Sequence, residues 1–230
     1  MKRFRLVLAC VHATNAIPSA YAKLFSSQAS KKLLKTHWGF DPGALDVAKE
    51  LKRRLNAPLH VFPVSRLLIE PDNYKPKNRW GELTKSLSRQ EKSSLLDRYW
   101  HPFMRAVEKD IRKQVPALLV ISHSFTPVWK GKVRNCDVGI LFDPKRSQEK
   151  TVAFALQKAL RKRLPGMVIR RNYPYTGVWE GTAGYFREQF PDKRYAGLEI
   201  EVNYKHVRRK TKNGEAIKRA LAVSLAELAG

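Results

Sequence analysis

Three residues of this chain have the types and settings that chemistry needs: His12, His123 and Glu201. Each histidine follows a short apolar run, Leu6 to Val11 before the first and Leu118 to Ile121 before the second. Runs without polar alternation read as strands buried on both faces. The carboxyl ends of such strands are where open α/β sheets place their ligands. Glu201 belongs to a third pattern at 197–203, where Leu198, Ile200 and Val202 alternate with Glu199, Glu201 and Asn203. Carboxylates on a central strand are costly unless they meet a cation or water. Two imidazoles and a nearby acid are the parts of a mononuclear zinc hydrolase. The metal takes neutral imidazoles and keeps one position open for water, whose pKa falls to about 7. The acid accepts a proton as that water attacks a carbonyl, and returns it to the leaving amine. Taken singly, either histidine has a plainer reading as a capping or packing residue. Two of them on strands of the same shape favour the metal.

The elements that must position these residues follow from periodicity. Strands are predicted at 5–11, 59–69, 118–121, 137–142, 167–171 and 197–203. Helices are predicted at 41–56, 89–100, 102–115, 150–164, 178–190 and 213–228. In the first helix Asp41 is the expected N-cap and Pro42 the first helical residue, with Ala44, Ala48, Leu51 and Leu55 on one face. Met104, Val107 and Ile111 form the stripe of the third. The polar stretch 70–88 reads as a long surface loop. Strands alternating with helices imply an α/β fold: a mostly parallel or mixed central sheet with helices on both faces, in one domain over 1–230.

Composition sets outer limits. The 230 residues are 43% hydrophobic, so a sizeable core is expected. Lys and Arg number 45 against 20 Asp and Glu, a net charge of +25. Such a field attracts an anionic substrate, anionic lipid or nucleic acid. The basic residues are scattered over amphipathic segments, except for the cluster at 205–212, and read as solvated surface. Two cysteines, Cys10 and Cys136, make no disulfide framework and suggest a reducing, cytoplasmic setting. The start of the chain imitates a secretory leader, but Leu6 to Val11 is too short for its apolar core. No stretch approaches the roughly 18 apolar residues of a membrane span.

A family resemblance covers almost the whole length. It is carried by Cys-Val-His-Ala-Thr-Asn-Ala-Ile-Pro (10–18), Thr-His-Trp-Gly-Phe-Asp-Pro-Gly-Ala-Leu (36–45) and Val-Ser-Arg-Leu-Leu-Ile-Glu-Pro (64–71). It continues through Arg-Tyr-Trp-His-Pro-Phe (98–103), Ile-Ser-His-Ser-Phe-Thr-Pro (121–127) and Asp-Val-Gly-Ile-Leu-Phe-Asp-Pro (137–144). Asn-Tyr-Pro-Tyr (172–175) and Tyr-Ala-Gly-Leu-Glu-Ile-Glu-Val-Asn (195–203) complete it. In this order the blocks resemble the N-formylglutamate amidohydrolase family, which is similar in turn to zinc carboxypeptidases and aspartoacylases. The resemblance implies a zinc-carboxypeptidase-like (phosphorylase/hydrolase-like) fold and one zinc ion. It also implies cleavage of N-formyl-L-glutamate to formate and L-glutamate.

Residue by residue, His12 and His123 match metal ligands and Glu201 matches the general base. Arg66 and Arg171 are candidates for the substrate's carboxylates through forked, charge-assisted bonds. Asn172, Asn15 and Ser124 are further substrate-binding candidates. Many family members carry Glu before the first histidine, where this chain has Val11, so Asp41 is the nearest motif-borne acid to complete the ligand set. The family's Asn-Arg pair is replaced by Asp72-Asn73, with an Asn78-Arg79 pair a few residues on. Glu199 reads as a salt-bridge member, His37 and His101 as capping or packing residues, and Cys10 as a buried structural thiol. Two other functions stand beside the first: hydrolysis of a different N-acyl amino acid, or a chain whose chemistry has lapsed and whose basic surface binds nucleic acid.

Overall fold

The computed structural model describes residues 4–113, 115–178 and 181–229. In chain order the main elements are β1 (Arg5–Cys10), α1 (Gln28–Leu34), α2 (Ala44–Leu55), β2 (Leu59–Val61), α3 (Arg89–Leu95) and α4 (His101–Lys113). There follow β3 (Ala117–Phe125), β4 (Val128–Trp129), β5 (Lys132–Val133), β6 (Val138–Leu141) and α5 (Ser147–Arg163). The last are β7 (Ile169–Arg171), α6 (Thr182–Gln189), β8 (Tyr195–Asn203), α7 (Tyr204–Val207) and α8 (Lys212–Ala229).

Six strands form one sheet in the order β2-β1-β3-β8-β6-β7, and β4 with β5 makes a small separate hairpin. The pairs β1–β2, β1–β3, β3–β8 and β6–β7 are parallel. Only β6 against β8 is antiparallel, so the sheet is mixed. The α/β fold with a mixed central sheet is thus as expected.

Strand side chains alternate between the two faces, and each face has its own core. Leu6, Leu8, Leu118, Val120, Leu198, Ile200 and Val202 point to one, covered by α2, α5 and α8 through Leu51, Leu156, Leu221 and Leu225. Val7, Ala9, Leu119, Ile121 and Tyr195 point to the other, covered by α4 and α6 through Met104, Val107, Ile111 and Phe186. All nine residues of β3 and of β8 are buried. Each large apolar side chain fully removed from water contributes on the order of 1.5–3 kcal/mol, so these central strands are the firmest part of the sheet.

Several expectations change in ways that matter for the site. The first long helix begins at Ala44, not Asp41, and its cap position is Gly43. Gly43 has φ 86°, and a Cβ there would meet the Val207 carbonyl oxygen at 2.3 Å, so only glycine fits. Asp41 is therefore not a cap, and its carboxylate is free for other partners. The strand expected at 59–69 stops at Val61, because Pro63 has no N–H to continue the ladder. Beyond it Ser65 accepts from Leu68 N and turns the chain back.

The stretch 70–88 is no solvated surface loop: Asp72, Asn73, Arg79 and Thr84 are buried. Arg79 anchors it, donating to Asn73 O at 2.9 Å and lying 4.0 Å over the Trp100 ring. The helices predicted at 89–100 and 102–115 are continuous through a π turn at Leu96–Trp100, and the second is described to Lys113, Gln114 lying outside the described residues. The helix predicted at 178–190 is observed from Thr182, while Trp179 and Glu180 lie outside the described residues, as do the first three residues of the leader-like start. Among the described residues no helix is long and apolar enough to cross a membrane.

Candidate metal centre

Alternation decides which residues share a face. His123 follows Leu119 and Ile121 in parity and emerges on the α4/α6 face near the carboxyl end of β3. His12 lies two residues beyond the end of β1, and the turn there brings it to the same cavity. On β8 the parity of Tyr195 carries Glu199 and Glu201 to the same face. The register pairs His123 with Glu201 and Ile121 with Glu199. These four side chains line a cavity of about 450 Å³ with Asp41, Arg66, Glu70 and Asp72.

Asp41 stands at its centre. Its Oδ2 lies 3.1 Å from His123 Nδ1 and 3.5 Å from His12 Nδ1, and accepts from Ser124 N at 3.2 Å. One ligand atom from each of His12, Asp41 and His123 lies within 4.8 Å of the others, in a fully buried group. The imidazole rings meet edge to face, 5.1 Å apart. Behind them stands a second layer. His12 Nε2 donates to Glu70 Oε1 at 2.6 Å, which leaves Nδ1 with its lone pair directed toward Asp41. Glu70 is held by Arg66, whose Nε and Nη2 reach Glu70 Oε2 at 2.8 and 2.6 Å, and by Asp72 N at 3.0 Å. His123 Nε2 faces Asp72 Oδ2 at 4.0 Å.

The donor set suits a divalent cation. Two imidazole nitrogens and a carboxylate oxygen are a zinc-type combination. Buried polar atoms left without hydrogen-bond partners gather here: Asp41 Oδ1, His123 Nε2, Glu199 Oε1 and Glu201 Oε2. Such atoms are costly unless a ligand satisfies them. Arg66 Nη1 lies 3.2 Å from His12 Nδ1, and that contact must yield if a cation takes the nitrogen.

Electrostatics follow from the crowding. Burial resists charge on His123, yet its bond to Asp41 and the nearby Glu201 and Asp72 win, and its pKa rises to about 10. For His12, burial and Arg66 oppose protonation while Glu70 and Asp41 favour it, and the balance is upward. Asp41 is held well below the usual range: its histidines outweigh its burial. On β8 burial dominates. It lifts Glu199 to about 8, reinforced by Asp72, and Glu201 to about 7 against the pull of His123. His37, 3.6 Å from Asp41 Oδ1, is kept neutral by burial, with its pKa lowered to about 4.

The sequence-derived candidates thus divide. His12, Asp41, His123 and Glu201 come together in the cavity, and Ser124 lines it while donating its hydroxyl to Pro42 O. Arg66 lines it too, but its guanidinium is committed to Glu70 rather than open to a substrate. Three candidates lie elsewhere. Arg171 packs 3.3 Å over the Phe154 ring, because edge strand β7 runs beneath α5. Asn172 occupies a turn at φ 46°, its Oδ1 accepting from Phe142 N and Gly177 N. Asn15 is exposed and does not line the cavity.

Of the replaced pairs, Asp72, Asn73 and Asn78 line the cavity, whereas Arg79 turns into the protein. Glu199 makes no ion pair among the described contacts; ligand atoms of Glu199, Asp72 and His123 lie within 4.8 Å of one another, and Arg187 is bound to Glu149. His37 is a cavity residue rather than a packing one, whereas His101 faces Asp97 on the surface. Sequence reasoning missed Glu70, although it ends the Val-Ser-Arg-Leu-Leu-Ile-Glu-Pro block. It also missed Trp38, Trp129 and Tyr175 at the mouth, for which no spacing gave a signal.

The family model for N-formylglutamate amidohydrolase matches residues 4–207. Among solved structures, a gene product of Agrobacterium tumefaciens has a TM-score of 0.75 at 26% identity, over 99% of this chain and 89% of that one. An N-formylglutamate amidohydrolase from Ralstonia eutropha JMP134 also gives 0.75, at 15% identity, over 100% of this chain and 94% of that one. The second likeness is one of fold. No curated protein matches the chain.

Proposed function

The chain belongs to the N-formylglutamate amidohydrolase family, and from that premise we propose that it is a metal-dependent hydrolase cleaving the amide bond of an N-acyl amino acid. The observation that carries this reading is the buried convergence of His12, Asp41 and His123, with Glu201 beside His123 on the adjoining strand.

His12 Nδ1, His123 Nδ1 and an Asp41 oxygen would hold the ion. When bound, zinc supplies a Lewis acid and a water acidified to a pKa of about 7. The protein's part is orientation and proton transfer. Glu70 keeps the His12 proton on Nε2. Asp41 is itself fixed by the Ser124 N–H, so both imidazoles present Nδ1 to one point. Glu201, buried and without a partner on Oε2, accepts the proton of the attacking water and delivers it to the amine nitrogen as the C–N bond breaks. Burial raises its pKa toward neutrality, which suits a group that must take and then give a proton near pH 7.

N-formyl-L-glutamate, yielding formate and L-glutamate, is the compound the family name supplies and the reference substrate. The test is metal content of the purified protein together with acid release from N-formyl and N-acetyl amino acids. About one zinc per chain is expected, with activity abolished by a chelator and restored by zinc. Full activity in metal-depleted protein refutes the reading.

A further inference from the structure

A substrate with two carboxylates needs donors for both, and the cavity lining offers few. Its single guanidinium, Arg66, has Nε and Nη2 on Glu70, while Nη1 faces His12 Nδ1 at 3.2 Å and Asp41 Oδ1 at 3.6 Å. Asn73 and Asn78 are neutral, and Arg79 turns into the protein. The Asn-Tyr-Pro-Tyr block (172–175) has no work assigned above, yet its last residue, Tyr175, lines the cavity at the mouth.

Tyr175 is held from two sides. Asn172 Oδ1 accepts from Phe142 N at 3.0 Å and from Gly177 N at 3.2 Å. A Cβ on Gly177 would meet Phe142 N at 2.0 Å, so the loop lies directly against the chain leaving β6. On the other side the Tyr175 hydroxyl accepts from Arg134 Nη1 at 3.2 Å. That bond fixes the oxygen and leaves the hydroxyl proton without an acceptor among the described residues. Burial and the nearby Glu201 carboxylate keep the phenol above its ordinary pKa, so at neutral pH it remains a donor.

Arg134 follows directly on β5 and has no carboxylate partner among the described residues. Its Nη1 also reaches Thr126 Oγ1 at 3.3 Å, while Nε and Nη2 have no protein acceptor among those residues. The guanidinium lies 5.0, 5.2 and 5.8 Å from the ring centroids of Tyr175, Trp129 and Phe125. Aromatic faces hold a cation in place without neutralising it. A guanidinium with a free edge matches the planar fork of a carboxylate. An oxygen that accepts the Tyr175 proton comes beside this guanidinium, and the second oxygen of the same carboxylate can then take Nε or Nη2.

We infer that Tyr175 and Arg134 receive the side-chain carboxylate of the substrate's amino-acid half, the hydroxyl donating to one oxygen and the guanidinium holding the other. The inference rests on the hydrolase reading and gives it a specificity-determining pair. The γ-carboxylate is assigned rather than the α-carboxylate because it lies two carbons farther from the scissile nitrogen, and Tyr175 stands at the mouth.

The test compares kcat/KM of the zinc-loaded protein for Nα-formyl glutamate and Nα-formyl glutamine, which differ only in that carboxylate. Zinc content and circular dichroism are measured on the same samples. Wild type is expected to favour glutamate about ten- to a hundredfold, the effect of a charge-assisted bond. Tyr175→Phe and Arg134→Gln are each expected to shrink this ratio at least about fivefold, through KM rather than kcat. Arg134→Lys keeps the charge but not the fork, and its ratio is expected between those of Arg134→Gln and wild type. An unchanged ratio in either variant, equal losses for both compounds, or a wild type that prefers glutamine overturns the inference and leaves the hydrolase reading standing. Turnover of neither compound by the wild type overturns the hydrolase reading and this inference with it.

Discussion

Replacing Glu70 isolates the support of a metal ligand from the ligand itself. Its Oε1 receives His12 Nε2–H at 2.6 Å, while Oε2 receives the Arg66 guanidinium at 2.6 and 2.8 Å. Glu70→Gln keeps an oxygen for the imidazole but removes the charge. Charge-assisted bonds are about twice as strong as neutral ones, so about 1 kcal/mol is lost, a factor of about five to ten in metal affinity. Glu70→Ala removes the bond entirely and frees the ring to adopt either tautomer. Loss of such a support costs about 10- to 100-fold in affinity, or about 1.4–2.7 kcal/mol. It also strands the Arg66 charge beside His12, which adds to the cost. The assay is zinc affinity by competition with a chromophoric chelator, with circular dichroism to establish folding. The expected order is wild type, then Gln, then Ala. A folded Glu70→Ala protein with wild-type affinity would refute the argument that this carboxylate sets the His12 tautomer.

Other expectations follow from the same contacts. Glu201→Gln should retain zinc and lose about 10²–10⁴ in kcat, measured by acid release, since the amide cannot relay the proton; undiminished turnover would remove Glu201 from the reaction. Glu201 must be unprotonated to accept a proton, and its pKa is raised to about 7, so activity should climb with pH up to about 7 and level off above. A bound cation draws that limb lower, and a pH–rate profile locates it. Glu149 is fully buried and accepts from Arg187, Gly197 N and Asp143 N. Glu149→Ala should cost about 3–5 kcal/mol in denaturant unfolding by stranding Arg187; a loss below about 1 kcal/mol would mean that the arginine re-pairs. Asp137 is depressed to about 2, because its bonds to His206 and Lys205 outweigh its burial. A depressed acid stabilises the fold above its unfolded pKa of about 4, and that contribution disappears as pH falls toward 2. Asp137→Asn should therefore flatten the acid limb of urea stability over that window.

Much of this arrangement was legible in the chain. Apolar runs located β1 and β3 and set His12 just beyond the one and His123 near the end of the other, where parity with Leu119 and Ile121 fixes the face of His123. The alternation in β8 did the same for Glu199 and Glu201, because a period of two is a local property of extended backbone. Helix stripes such as Met104, Val107 and Ile111 fall in the core as their spacing requires. The family blocks narrowed the chemistry further, since their order is written in sequence.

What sequence left open depends on partners far along the chain. Asp41 looks like a helix cap locally; the crowding of Gly43 against Val207 starts the helix later and releases the carboxylate to two histidines. Glu70 meets His12 across 58 positions, and no local pattern announces that pairing. Arg171 stands just before the Asn-Tyr-Pro-Tyr block, yet its strand is at the sheet edge under α5, so packing on Phe154 wins over reach into the cavity. The charge balance says little about the site: the chain carries a net +25, whereas the cavity gathers Asp41, Glu70, Asp72, Glu199 and Glu201 with three histidines and Arg66. Composition is a sum over the whole chain. The sequence by itself determined the strands, their faces and the residue types at their ends. Tertiary structure decided which charges face one another across the cavity, because that depends on how loops from distant segments pack over the sheet.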